Sequence, residues 1–321
     1  MKRKREKIIF YSVTVLITFL LVWISLFTGA KNIHWADLWQ YPDKMQVFFI
    51  SRIPRTLALV LVGAGLSIAG FIMQQLSQNN FVSPTTSGAL EGAKMGILFA
   101  MVLMPQSSLL VKICSALAFT FLTALIFIFF VNKIRHRSSI FIPLVGLMFA
   151  SILASISTFF AYKYNIVQNT QEWMLGDFSS VLQGQYESIY LILPVVGLCY
   201  FYAERFTIAG MGESFARNLG LSYAAIVNLG LLAVSLVVSA SVVTVGTIPF
   251  VGLIIPNMVR IFVGDNLKRA LPWSAFAGSI FLMVCDIMGR LLIFPYEIPI
   301  GMMVGVIGGL TFFVLILRRS Q

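Results

Sequence analysis

The residues that could do chemistry in this chain are few, and four of them lie inside long apolar stretches. Glu91 and Lys94 are three positions apart, and Asp286 and Arg290 are four apart. On a helix, both spacings place an acidic and a basic side chain on one face, close enough to pair. Ionisable side chains inside a membrane span usually face protein or a water-filled pathway. For Glu91 and Lys94, a structural ion pair and a pathway role fit the sequence equally well.

The chain lacks the motifs of common catalytic and nucleotide-binding sites. It contains no G-x-x-x-x-G-K-[ST], no H-E-x-x-H and no G-x-S-x-G. The histidines, His34 and His136, are far apart, and Cys114, Cys199 and Cys285 stand singly in apolar segments. We therefore predict no metal site, no nucleotide site and no enzyme activity. If the protein moves a solute against a gradient, the energy must come from a partner or from an ion gradient.

The elements that must position these residues are transmembrane helices. Hydrophobic residues make up 59% of the 321 residues and charged residues only 11%, with a mean hydropathy of +0.91, which excludes an ordinary soluble domain. Lipid offers no partner to free backbone groups, so every span should be helical. No linker divides the chain, so we predict one transmembrane domain over residues 1–321. Length and apolar content predict about ten spans: Ile8–Gly29, Thr56–Leu76, Thr85–Met104, Leu109–Val131, Ile140–Tyr162, Ser188–Tyr202, Tyr223–Val245, Phe250–Val263, Pro272–Phe294 and Pro299–Leu317.

The distribution of basic residues orients the chain in the membrane. With the N-terminus inside, basic clusters at Lys2–Lys7, Lys133–Arg137, Lys268–Arg269 and Arg318–Arg319 all fall on the cytoplasmic side. The positive-inside rule therefore predicts that both termini are cytoplasmic. Contact with the membrane also accounts for the formal charge of +11 without nucleic acid binding.

One polar segment, GESFARNLGLS at residues 212–222, interrupts the apolar runs. Glu213 suits the first turn of a helix and Gly220 suits a C-cap, so a short helix is predicted. Helices that lie on a membrane surface are usually rich in Lys and Arg, and this segment is not, so docking into another protein is favoured. Ala216 is small enough for close docking. The apolar face holds three residues: Phe215, Ala216 and Leu219.

Three other stretches carry distinctive patterns: RIPRTLALVLVGAGLSIAGFIMQ (Arg52–Gln74), IPFVGLIIPNMVRIFVGDNLKRALP (Ile248–Pro272) and EIPIGMMVGVIGGLTFFVLILRR (Glu297–Arg319). Together with the polar segment, they resemble the iron-siderophore and cobalamin (FecCD-type) permease family of ATP-binding-cassette importers. The resemblance covers nearly the whole chain. It implies an all-α integral membrane protein with ten spans and the type II importer permease fold.

The resemblance also implies partners. In this family two permease subunits enclose one pathway, and each presents the helix between spans six and seven to one of two cytoplasmic ATPases, which bind ATP and Mg. This chain would bind no cofactor, and iron would be present only as chelated substrate. The coupling residues would be Gly212, Glu213, Phe215, Ala216, Arg217, Leu219, Gly220 and Leu221.

Members of this family receive substrate from an extracytoplasmic binding protein, whose acidic residues meet permease arginines. Arg52 and Arg55 match that position, and Arg290 is a third candidate. Guanidinium groups bind carboxylates well, because they stay charged and can donate two parallel hydrogen bonds to one carboxylate. Two alternatives stay open: interfacial snorkelling of Arg52 and Arg55, and a local ion pair between Arg290 and Asp286.

Polar residues near span five are further candidates for the pathway. Ser151, Ser155 and Ser157 could line it, or could bond back to their own helix carbonyls. Ser138 and Ser139, in the loop before span five, match the position where the cobalamin importer narrows its cytoplasmic gate.

Small residues in span ten are candidates for packing. Gly301, Gly305 and Gly309 recur at every fourth position, which permits close helix approach. The resemblance places spans five and ten along the central pathway, so these glycines would mark the interface between subunits.

The stretch NNFVSPTTSGALEGAKMG (Asn79–Gly96) departs from the N-P-L-A-x-P of many family members. It resembles the branch of first-subunit permeases that serves catecholate siderophores and pairs with a different second permease. We therefore expect a heterodimer that moves ferric siderophores across the bacterial cytoplasmic membrane. Haem or cobalamin as substrate is one alternative. An ion-coupled secondary transporter, which would need midplane carboxylates such as Asp286, is another.

Overall fold

The structure is a computed structural model that describes residues 2–29, 35, 37–134 and 141–319. Within these ranges the chain is helical apart from its connecting loops and one isolated backbone bridge between Leu175 and Thr247. A π-helical turn, Phe48–Arg52, precedes α4, and a 3-10 turn, Glu187–Leu191, precedes α9. The helices are α1 (Lys2–Phe27), α2 (Asp37–Gln40), α3 (Pro42–Val47), α4 (Ile53–Leu76), α5 (Ala89–Leu103), α6 (Leu109–Lys133), α7 (Phe141–Lys163), α8 (Val167–Met174), α9 (Ile192–Phe201), α10 (Ala203–Ala209), α11 (Glu213–Asn218), α12 (Tyr223–Val245), α13 (Val251–Val263), α14 (Leu267–Leu291) and α15 (Ile300–Arg319).

The chain is a multi-pass membrane protein, and a helix lies at each of the predicted spans. Glu187–Phe201 and Ala203–Ala209 meet at a 64° bend, and they add one crossing to the five helices named below if they form a single span. Within the described side chains, the apolar stretches of α1, α13 and α15 are Ser12–Phe27, Val251–Val263 and Ile300–Leu315, so the count of ten and the orientation of the termini stay predictions. Five helices of the described residues are long and apolar enough to cross a membrane by themselves: Pro42–Leu76, Leu109–Lys133, Phe141–Lys163, Tyr223–Val245 and Leu267–Leu291.

Helix α4 lies at the centre of the fold. The most apolar stretch of Pro42–Leu76 is 78% buried, whereas that of α7 is only 22% buried. Helices α12, α13 and α14 pack around α4. At the crossing with α14, a Cβ on Gly63 would lie 2.5 Å from the carbonyl oxygen of Gly278, so only glycine permits this approach. Ser67 donates to the Ser274 carbonyl at 2.6 Å beside that contact.

Several helix boundaries differ from the prediction, among them the starts of α14 and α5. Helix α14 begins at Leu267 rather than at Pro272, because Leu267 and Ala270 are buried and continue its packed face. Helix α5 begins at Ala89 rather than at Thr85, because Ser83 and Thr86 hydrogen-bond to each other in a loop. Short helices also lie in two connecting segments, α2 and α3 between α1 and α4, and α8 between α7 and α9.

Candidate functional site

The predicted polar helix is present as α11 and has a glycine at each end. Gly212 precedes it with φ +111°, which a residue with a side chain rarely adopts. At the other end, Gly220 has φ +74° and donates to the Arg217 carbonyl at 2.9 Å. Leu221 donates to the Ala216 carbonyl at 3.0 Å, which completes a Schellman motif. The two glycines therefore set both the length and the direction of α11.

Helix α11 exposes a surface suited to a protein partner. Phe215 is 46% exposed and Leu219 is 56% exposed, and Glu213 pairs with Arg217 at 2.6 Å beside them. The sequence also places Ala216 on this surface, and that prediction is wrong, because Ala216 is fully buried. Its small side chain faces the chain itself, where α11 packs against α10 and α12. We call Glu213, Phe215, Arg217 and Leu219 the coupling surface.

The turn before α11 touches the end of α4. A Cβ on Gly210 would lie 2.0 Å from Oε1 of Gln75, so the two residues are in close contact. Gln75 Nε2 donates to the carbonyl of Asp265 at 3.2 Å, and Arg260 donates to Oε1 of Gln74 at 3.0 Å. Asp265 and Arg260 also form an ion pair. These contacts connect the turn between α10 and α11 to both α4 and α13.

The arginines predicted to meet a binding protein belong to an ion-pair network inside the chain. Arg55 donates to Asp286 at 2.7 Å and to Glu297 at 2.7 Å. Arg290 pairs with the other carboxylate oxygen of Asp286. The side chains of Asp286 and Arg290 are only 1% and 4% exposed. The network joins α4 and α14 to the loop that precedes α15.

Helix α1 supplies further acceptors to this network. Arg52 donates to the Leu26 carbonyl at 3.1 Å, and Arg290 donates to Oγ of Ser25 at 3.0 Å. Both arginines are buried. The structure therefore does not place them on a free docking surface, since their donors are directed inward by the packing of α1, α4 and α14. The alternative of a local pair between Arg290 and Asp286 is confirmed.

Glu91 and Lys94 pair loosely on α5. Lys94 Nζ lies 3.8 Å from Glu91 Oε2, and both side chains are about three-quarters buried. The structural ion pair is thus present. Lys94 also lines a cavity of about 410 Å³ between α5, α7 and α8, so the pairing does not remove it from the candidates for substrate contact.

The hydrogen bonds of Ser151 and Ser155 in α7 test one of the two alternatives for these serines. Ser151 donates to the Leu147 carbonyl and Ser155 to the Ser151 carbonyl, each at 2.9 Å. The alternative of bonding back to their own helix is confirmed, and both lie on the exposed side of α7. Their pathway role stays a prediction. Ser138 and Ser139 lie outside the described residues.

The glycines of α15 lie in two different environments. Gly301 packs against Gly176, since a Cβ on it would lie 3.1 Å from the Gly176 nitrogen. Around Gly305 and Gly309, no described atom lies within 4 Å of a Cβ position. Gly308, which the spacing does not single out, packs against the start of α13. Only Gly305 and Gly309 therefore stay candidates for contact with another subunit.

Sequence reasoning missed the contacts of Arg55 with Asp286 and Glu297. They join residues 231 and 242 positions apart. The available signal is that each residue is charged within an apolar stretch and so requires a partner. Which partner it meets depends on how the helices cross. Among the described residues, no group of three or more His, Cys, Asp or Glu side chains could hold a metal ion.

Known proteins resemble this chain along nearly its whole length. The model of the FecCD transport family matches residues 16–318. The petrobactin import system permease protein YclN of Bacillus subtilis is 48% identical over 92% of this chain and 94% of that protein. The ferric-anguibactin transport system permease protein FatD of Vibrio anguillarum is 44% identical over 96% of this chain and 98% of that protein. A solved metal-chelate type ABC transporter in an inward-facing conformation matches with a TM-score of 0.82 at 26% identity, over 98% of this chain and 99% of that one.

Proposed function

The chain belongs to the FecCD transport family, and from this premise we propose that it is a permease subunit of an ATP-driven importer of ferric siderophores. The observation that carries the proposal is the 48% identity to a petrobactin import permease over 92% of the chain. The protein is a transport subunit and not an enzyme. Its family membership supports ATP-driven import over the alternative of an ion-coupled secondary transporter. Its place is the bacterial cytoplasmic membrane.

The substrate we propose is a ferric siderophore of the catecholate type. The relatives named for petrobactin and ferric anguibactin support a siderophore. The resemblance of Asn79–Gly96 to the catecholate branch supports the finer assignment. Haem and cobalamin are the substrates against which it should be tested.

The partners we propose are a different second permease, two ATPases that hold ATP and Mg, and an extracytoplasmic binding protein. One of the two ATPases would receive the coupling surface, whose exposed Phe215 and Leu219 are the kind of anchors that protein interfaces bury. Closure of the ATPases would then move α11. The contact of Gly210 with Gln75 would carry that movement into α4, the central helix.

The test is ATP hydrolysis and uptake in proteoliposomes that contain this chain, its neighbouring permease and the ATPase. Binding proteins loaded with ferric petrobactin, ferric anguibactin, haem or cobalamin are added in turn. We expect one ferric siderophore to stimulate both activities. If the chain recruits no ATPase, or if uptake follows a proton or sodium gradient without ATP, the proposal is wrong.

The coupling surface is tested by the double variant Phe215→Ser/Leu219→Ser. Loss of two apolar anchors should weaken ATPase association about tenfold or more, and abolish stimulated hydrolysis. Leu232→Ser is the matched control, because Leu232 is a 43% exposed leucine of the neighbouring α12. Equal association of the control and the double variant would contradict the role given to α11.

A further inference from the structure

The cavity between α5, α7 and α8 is lined by apolar side chains and by polar side chains that can bind an anionic group. Its volume of about 410 Å³ lies within the range of small-molecule pockets. The polar lining residues are Lys94, Ser157, Thr158, Thr170 and Gln171, and the others are apolar, Met174 among them. No acidic residue lines the cavity among those described. A cation lacks a counter-charge there, whereas an anionic group meets an ammonium and a hydroxyl.

Ser157 carries a hydroxyl that the fold leaves without a partner. Its side chain is 1% exposed, and its Oγ has no hydrogen-bond partner among the described residues. The hydroxyls of Ser151, Ser155 and Thr158, on the same helix, all donate to the carbonyl one turn earlier. Buried hydroxyls are nearly always hydrogen-bonded. A free hydroxyl at the cavity wall therefore points to a group that enters the cavity.

Lys94 is the charged donor of the cavity. Its Nζ lies 3.8 Å from Glu91 Oε2, beyond hydrogen-bonding distance, and Glu91 Oε2 has no hydrogen-bond partner in the described part of the chain. The two groups attract each other without a direct hydrogen bond. An ammonium has three N–H donors, so Lys94 can bind an anionic oxygen in the cavity while Glu91 competes for the same charge.

We propose that this cavity binds one anionic, oxygen-bearing aromatic arm of the ferric chelate, with Lys94 and Ser157 as donors. The apolar wall that includes Met174 suits the flat face of a ring, and the two donors suit its phenolate or carboxylate oxygens. The cavity lies at the C-terminal end of α7, which is the outer end in the proposed orientation. The inference rests on the proposed function and names the substrate contact within it.

The test is equilibrium binding of radiolabelled ferric petrobactin to the complete transporter in lipid nanodiscs, without binding protein. Lys94→Gln should bind about tenfold more weakly, as expected for the loss of a charge-assisted hydrogen bond. Lys94→Arg should bind close to wild type. Ser157→Ala should bind about threefold to tenfold more weakly, since it loses one hydrogen bond to the anionic oxygen, from a donor that is itself uncharged. Lys163→Gln is the matched control, because it removes a positive charge from the end of α7 at a residue that does not line the cavity.

A second variant separates a binding role from a structural one. Glu91→Gln removes the competing carboxylate, so ferric petrobactin should bind more tightly than to wild type. If the pair only stabilises the fold, Glu91→Gln and Lys94→Gln both lower the melting temperature. Glu91→Gln then does not bind ferric petrobactin more tightly, and Lys94→Gln does not bind it more weakly. Melting temperatures of all variants are measured to verify that each is folded.

The outcomes distinguish this inference from the proposed function. If the wild-type transporter shows no ATP-driven uptake of any ferric siderophore, the proposed function fails. If it imports ferric petrobactin but binds none by itself, or if Lys94→Gln binds as Lys163→Gln does, the cavity is not the site. The import function then stands without it.

Discussion

At Asp286, two guanidinium groups meet one carboxylate. Arg55 approaches from α4 and Arg290 from one turn further along α14. The Asp286 side chain is 1% exposed, so water cannot replace either contact. Burial of ions is costly, and a buried network of this kind persists only because each charge has a counter-charge and hydrogen bonds. Loss of the one carboxylate leaves two arginines close together in the interior.

We predict that Asp286→Asn lowers the free energy of unfolding by about 3–5 kcal/mol, the usual cost of removing one partner from a buried pair. Thermal and denaturant unfolding of the detergent-solubilised subunit measure it. Glu213→Gln is the control, because Glu213 pairs with Arg217 at an exposed position, where such a pair contributes about 0.5 kcal/mol or less. Similar losses in the two variants would contradict the structural role of Asp286.

Arg52 and Arg55 illustrate how a residue type can be singled out from the sequence while its contacts within the chain cannot. Both are functional candidates by their setting around Pro54 at the end of a span. In the structure, Arg52 bonds to α1 and Arg55 bonds to Asp286 and Glu297. A guanidinium group that accommodates a carboxylate of another protein accommodates one from its own chain equally well.

At the scale of the element, α11 depends on the backbone conformation of its two flanking glycines. It spans only Glu213–Asn218, too short to be stable without tertiary contacts. Gly212 and Gly220 both have positive φ, and buried Ala216 anchors the helix to its neighbours. A helix held in this way can present its coupling surface in one fixed direction.

We predict that Gly220→Ala destabilises the end of α11 by about 1–2 kcal/mol, the cost of a left-handed conformation for a residue with a Cβ. A Cβ there would meet no described atom within 4 Å, so the effect is conformational and not steric. The affinity for the ATPase should fall about tenfold, measured by titration of the reconstituted subunits.

Gly197→Ala is the control for this prediction. It also has open space around its Cβ position, but it lies within α9 with ordinary helical φ. Alanine should be neutral or slightly stabilising there. An unchanged ATPase affinity for Gly220→Ala would show that the C-terminal turn of α11 does not determine docking.

At the scale of the whole molecule, two peripheral helices expose much of their surface. Only 22% of the most apolar stretch of α7 is buried. On α15, the exposed side carries Met302, Val306, Leu310 and Phe313. Lipid or a second permease can cover such faces, and the open space at Gly305 and Gly309 suits the close approach of another helix.

We predict that Gly305→Leu and Gly309→Leu leave the melting temperature of the isolated subunit unchanged but reduce its assembly with the second permease. A Cβ at either position lies more than 4 Å from the described atoms of the other helices, so a larger side chain is expected to fit in the subunit but to collide with a partner helix packed there. Co-purification and cross-linking of the two permeases measure the assembly. Normal assembly of both variants would mean that the second permease contacts another face.

Gly308→Leu is the matched control on the same helix. A Cβ at Gly308 would lie 3.0 Å from the Cβ of Phe250, so this variant should destabilise the subunit itself. Overpacking of this kind typically costs about 1–3 kcal/mol. Gly305→Leu, Gly309→Leu and Gly308→Leu together therefore distinguish the face of α15 that packs inside the subunit from the face available to a partner.

The sequence by itself determined the local structure of this protein. Long apolar runs in a membrane must be helical, because lipid satisfies no free backbone group, and the predicted span Tyr223–Val245 matches α12 at both ends. The short polar helix also followed from local signals, since Gly212 and Gly220 specify backbone conformations. Family membership was equally accessible, because it rests on the order of residues along the chain.

Only the tertiary structure decided which residues meet. Ala216 turned inward, and Arg55 met Asp286 across 231 positions. Ser157 was left with a free hydroxyl, although Ser155 on the same helix bonded to its own backbone. Periodicity along one helix specifies which side chains share a face, but not what lies opposite that face. The residues opposite a helix face are determined by where the helices cross, as at Gly63 and Gly278. The position of each crossing depends on the packing of all helices together.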